Sequence, residues 1–167
     1  RDILMGALLG TLANVIGIFH QFVPHWIGLG PVPSLSHVFR WDGFFSGLAD
    51  SLSWVPTALS ATLSLTFILF ILLFLTRRRW IAVAGFALLY SMGILGSPNQ
   101  FSLLFDLMMG LVTSGILLIA VIRFGIVGLV AHQLFFVTLA NRPFIFNPQS
   151  IYFEVSIAGA LVMLMIV

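Results

Sequence analysis

At 167 residues, 60% hydrophobic and only 7% charged, the chain carries too few charges to build a water-facing surface, since soluble domains run at about 25% charged residues. Its formal charge of +2 rests on seven cations, all arginine, without the aromatic-interleaved basic stripe of a nucleic-acid binder. With no cysteine it forms neither disulfides nor thiolate metal sites. The mean hydropathy of +1.17 points the same way, to a chain whose solvent is largely lipid.

Taken in chain order against about 30 Å of hydrocarbon and about 20 residues per helical crossing, the apolar runs predict an all-α fold. The expected architecture is a polytopic transmembrane bundle, a single domain of six spans with one long interfacial loop. The first span covers 3–23 and closes at Pro24. It opens with "GALLG", in which Gly6 and Gly10 form a GxxxG element suited to close helix packing, within the chain or against a partner. The loop 24–54 mixes Pro, Gly and aromatics with the pair Arg40/Asp42. Its tryptophans, Trp26, Trp41 and Trp54, suit headgroup depth, with a short flat helix near "FFSGLADSL".

The second span is 55–75. After it come Arg77, Arg78 and Arg79, then Trp80, then a short third span, 80–95, ended by "GSPNQ". The fourth, 101–122, carries Asp106 and a small-xxx-small pair, Gly110 and Ser114, and meets Arg123, which snorkels to the headgroups. The fifth, 125–140, is short again, holds His132 and closes at "NRPFIFNPQS"; crossing and re-entry both remain open for it. The sixth, 151–167, carries Glu154 near its start. The chain starts at arginine and stops within an apolar run, which leads us to expect a piece of a longer polypeptide.

The arginine triplet fixes an orientation. Short cytoplasmic loops are enriched in Lys and Arg, so the tight turn at Arg77–Arg79 is expected in the cytoplasm, with Trp80 as its interfacial anchor. Arg1 and Arg123 then fall on the same side, and Arg40 and Arg142 opposite. A bacterial inner membrane is the expected location.

Polar residues inside apolar helices are the candidates for chemistry. His20 and His132 are placed to face a haem iron or a pigment magnesium, or to relay protons. The plainer reading of each is an imidazole bonded to a backbone carbonyl. His25 and His37 lie in the loop, and no two histidines have the i, i+4 spacing of a metal-binding helix face. Asp106 and Glu154, each about one turn into its span, are candidates for a shared polar site on the outer side. Carboxylates at those positions are also favoured simply by the helix dipole. No phosphate loop, HExxH, GxSxG or kinase catalytic motif is present. The paired glutamates of CPBP-type intramembrane proteases and the inverted repeats of secondary transporters are absent too.

One longer pattern stands out. "LFLTRRRWIAVAGF", then "VIRFGIVGLV", then "PQSIYFEVSIAGAL" resembles the C-terminal membrane region of large multi-pass bacterial proteins described as serine/threonine-kinase-like. There, an Arg-rich turn with Trp precedes an "RFG" element and a late aromatic "WY" step. The matching positions are Arg77 to Trp80, Arg123 to Gly125, and Ile151 to Phe153, where Tyr152 keeps an aromatic and the tryptophan is missing. The resemblance covers about residues 56–167. It implies a membrane portion that does not itself carry kinase activity.

The leading expectation is therefore a non-catalytic integral membrane domain, an anchor or a structural subunit of a larger protein or complex. Its expected partners are the lipid bilayer and either other membrane subunits or the rest of a longer chain. A second reading is an accessory subunit of a photosynthetic or respiratory complex with His20 or His132 facing a pigment or haem. A third is a transporter or channel component built on Asp106, Glu154 and Arg123.

Overall fold

A computed structural model describes residues 1–28, 43–95, 103–140 and 153–166, and all the regular structure among them is helical. Five helices follow one another: α1 (Asp2–Trp26), α2 (Phe44–Thr76), α3 (Arg79–Leu95), α4 (Leu103–Ala140) and α5 (Phe153–Ile166). A chain this poor in polar side chains can satisfy its backbone groups only by bonding them to one another, and the helix does so within each run.

Three of the five, rather than six, are long and apolar enough to cross a membrane: α1 over Asp2–Val23, α2 and α4. The expected third and sixth spans form, among the described residues, helices of 17 and 14 residues, fewer than the about 20 of a typical crossing. The expected fourth and fifth fall within the single element α4, interrupted at Gly125.

Two helix ends also differ from expectation. α1 continues through Pro24 and ends two residues later at Trp26: proline's φ is helical, and its lost hydrogen bond and crowding of the preceding turn fall in the last turn of the helix. The flat helix expected near Phe44 is instead the beginning of α2, which carries Pro56 inside it. At about 1.5 Å per residue α2 is about 50 Å long, well beyond a hydrocarbon core. Much of the 24–54 loop lies outside the described residues, and so do His37, Arg40, Trp41, Asp42, Arg142 and Tyr152.

Gly125 adopts φ 68°, ψ −162°, a conformation essentially closed to residues with a Cβ. It divides α4 into a first limb (103–124) and a second limb (126–140). Contacts with α1 show that the chain reverses there. Gly6, Gly10 and Asn14 lie against Gly128, His132 and Phe136 in parallel order, while His20 meets Asp106. A straight α4 would hold Asp106 and Phe136 about 45 Å apart. Only an antiparallel pair of limbs brings both alongside one α1.

α4 is the centre of the bundle: α1, α2 and α3 all pack on it, and α5 packs mainly on α2. Leu69 of α2, Phe86 of α3, Leu117 and Leu118 of the first limb and Leu129 of the second form the apolar core. The α2–α3 turn is made by Arg77 in the left-handed region, with the Thr76 hydroxyl donating to the carbonyls of Leu72 and Arg78. α3 runs back beside α4, with Ser91 against Gly110. Counting along both helices from that contact at about 1.5 Å per residue brings Arg79 level with Arg123. Arg1 joins them, since Asp2 reaches Gly128 just beyond Gly125. Five arginines thus share one end of the bundle. His20, Asp106, Asp50 and Glu154 lie away from it.

Candidate functional site

The polar interior follows the α1–α4 interface. Gly6 and Gly10 let the backbones meet: a Cβ on Gly6 would run into the Gly128 carbonyl, and one on Gly10 into the His132 carbonyl. The GxxxG element thus packs within the chain. One further step of four residues reaches Asn14, which is buried and donates from Nδ2 to the Phe136 carbonyl at 3.4 Å. In a bundle apolar outside as well as inside, such close packing carries more than burial contrast.

Where α1 reaches the start of α4, His20 Nε2 and Asp106 Oδ1 stand 2.7 Å apart. The imidazole donates to the carboxylate, and that separation fits a charge-assisted bond. The side chains are 12% and 2% exposed, so little water competes for either. Phe105 stacks on the imidazole with ring centroids 5.4 Å apart, which fixes the plane of the donor. Asp106 lies in the first turn of α4, where the helix dipole favours a negative charge. This pair is the one place among the described residues where two side chains that can carry charge meet inside the bundle. It can hold a charge or a proton in an apolar setting, and it ties α1 to α4.

His132 is different. It is 1% exposed, stacked on Phe136, and neither ring nitrogen has a hydrogen-bond partner among the described residues. The backbone bond of the plainer reading is therefore not formed with any described residue. Gly10 lies against the backbone of the His132 turn, and with the ring itself buried a pigment or haem would reach it only if the packing around it opened. His20 has its Nε2 committed to Asp106.

Asp106 and Glu154, expected as candidates for one site, have separate partners. Glu154 is exposed and accepts the Phe44 backbone N–H at 3.2 Å. It thereby satisfies one of the orphan donors at the start of α2 from a neighbouring helix. Gly110 packs on Ser91, and Ser114 is buried with its hydroxyl donating to the Leu111 carbonyl. Arg77, Arg78, Arg79, Trp80 and Arg123 are all exposed.

Three contributors escaped sequence reasoning: Asn14, Gln133 and Gly128, all buried. Asn14 had a signal, because it continues the Gly6–Gly10 stripe at the same spacing. Trp54, expected at headgroup depth, has its indole N–H buried without an acceptor among the described residues. Compared with protein-family models, curated proteins and solved structures, the chain matches none. Fold and site define the class: an all-α bundle with three membrane-length apolar helices and a buried histidine–aspartate tie.

Proposed function

We propose that this chain is an integral membrane domain without catalytic machinery of its own, serving to anchor a longer chain or to pack as a structural subunit of a membrane assembly. The observation that carries this reading is α2. Its most apolar window has a mean hydropathy of 2.5 and is only 11% buried. Phe67, Phe70, Phe74 and Leu75 stand exposed along it. An apolar face of that length needs lipid or another protein against it. Two buried polar contacts, Asn14 to the Phe136 carbonyl and His20 to Asp106, join α1 to α4, which suits a scaffold. In the anchor form of this reading, residues 56–167 would be the membrane portion of a longer kinase-like chain.

In the finer arrangement we favour, the six apolar segments are all membrane-embedded. α3, the second limb of α4 and α5 would lie against longer helices rather than cross alone. The Arg77–Arg79 turn would face the cytoplasm of a bacterial inner membrane.

The chain extracted from native membranes in mild detergent is expected to migrate with covalent or bound partners, well above the 18.4 kDa of these residues. A monodisperse species of that mass, whose deletion leaves every membrane assembly unaltered, would reject the scaffold role. Orientation has its own test, helped by the absence of cysteine. Arg78→Cys is expected to resist a membrane-impermeant maleimide in intact cells, and Gly28→Cys to react. Labelling in the reverse pattern would invert the topology.

A further inference from the structure

The arginine end of the bundle holds a second feature. An apolar groove of about 200 Å³ opens between the first turn of α1 and the first turn of the second limb of α4. Ile3, Ile126, Val127, Val130 and Ala131 line it. Arg1 precedes Ile3 by two residues and Arg123 precedes Ile126 by three, and both are exposed. The groove is thus an apolar slot with two exposed arginines within three residues of its lining. Asp2 is the only acid at that end among the described residues.

We propose that this groove is a binding site for one anionic phospholipid, with an acyl chain along Ile126, Val127 and Val130 and the headgroup phosphate on Arg123, assisted by Arg1. The proposal rests on the membrane reading above and adds a defined ligand to it. Each half of the site has its own chemistry. The slot offers hydrocarbon and nothing that hydrogen-bonds, which suits an acyl chain and rejects a free polar anion. The guanidinium offers a planar fork that matches a phosphate, and it stays charged at any physiological pH. The reversal at Gly125 supplies the geometry: it sets Arg123 at the end of one limb and Ile126 at the start of the next. Basic pockets between helices on the cytoplasmic side are where anionic headgroups are expected. The Arg77–Arg79 turn, at the same level but on the α2–α3 hairpin, is an internal comparator. It supplies more charge without this slot.

The test is native mass spectrometry of the detergent-purified chain, offered an equimolar mixture of phosphatidylglycerol and phosphatidylcholine with identical acyl chains. The wild type is expected to retain phosphatidylglycerol preferentially, as a single adduct. Arg123→Gln should reduce that preference about fivefold, the factor corresponding to about 1 kcal/mol for one arginine near an anionic surface. Replacing Arg77, Arg78 and Arg79 together by glutamine should reduce it less. Val127→Asn, on an exposed position of the groove wall, should weaken retention of both lipids. Equal retention of the two lipids by the wild type overturns the proposal. So does a preference indifferent to Arg123→Gln, or one abolished only by the triple replacement. Failure of the membrane reading itself would show earlier and separately, as a chain released from membranes by alkaline carbonate.

Discussion

A chain carrying His20→Ala is expected to unfold about 1–3 kcal/mol more easily than the parent, the cost of leaving a buried polar group without its hydrogen-bond partner. Asp106 sets the size of this effect. Its carboxylate is 2% exposed, so water cannot replace the imidazole that stands 2.7 Å away. Asp106→Asn should cost less, because the amide keeps an oxygen for the imidazole N–H and leaves no charge stranded. The double variant His20→Ala/Asp106→Ala should cost less than the sum of its singles, since removing both partners leaves nothing unpaired. Reversible unfolding of the purified chain in mixed micelles, followed by helical circular dichroism, measures the parent, His20→Ala, Asp106→Ala, their double variant and Asp106→Asn. Additive single effects, or a His20→Ala cost under about 1 kcal/mol, would mean that the pair is solvated rather than sealed. The tie would then be incidental to the α1–α4 contact.

Much of the helix content was legible because apolar runs bounded by Pro, Gly and charge have few other ways to fold. The Arg77–Arg79 turn and the break after Arg123 were visible for the same reason: each interrupts a run that otherwise has no polar residue to stop it. What the runs could not show was how they combine. Phe44–Val55 looked separate from the second span because serines and Asp50 dilute its hydropathy, yet no residue there ends a helix, and α2 passes straight through. Conversely, 101–140 looked like two spans, and the break does fall there. Whether the chain continues or reverses at Gly125 depends on one φ/ψ pair, and a glycine leaves both options open.

Partnership was the least legible property. His20 and Asp106 were each visible as unusual, but they are 86 residues apart in sequence. Their meeting depends on the register of α1 against α4. That register is set by Gly6 and Gly10 against Gly128 and His132, and almost every other face of these helices is apolar as well. An apolar residue that faces lipid and one that faces a neighbouring helix have the same composition. Only a position where bulk is forbidden, or where a polar atom must find a partner, distinguishes them. The sequence marked Gly6 and Gly10 as such positions without naming what lay opposite.

That distinction is measurable in one substitution made four times. Gly10→Ala is expected to destabilise the chain by about 1–3 kcal/mol, the usual cost of overpacking a close contact. Its new Cβ would meet the backbone carbonyl of His132, which cannot swing aside as a flexible side chain could. Gly17→Ala, on the same helix, has no neighbouring atom within 4 Å and should stabilise by up to about 1 kcal/mol through helix propensity. α4 repeats the comparison. At Gly110 a Cβ would come within 2.9 Å of Ser91 Cα, whereas Gly115 is open. Propensity contributes equally within each pair, so the difference isolates packing, and the same micelle unfolding experiment reads it. If Gly10→Ala and Gly17→Ala shift stability alike, α1 is not seated on α4 as described. There is also a local consequence. Gly10 seats α1 on the backbone of the turn that carries the buried His132, so loosening α1 should loosen that turn and give the imidazole more access to reagent. Its modification by diethyl pyrocarbonate is expected to be faster in Gly10→Ala than in Gly17→Ala. Equal rates would place the protection of His132 elsewhere in the bundle.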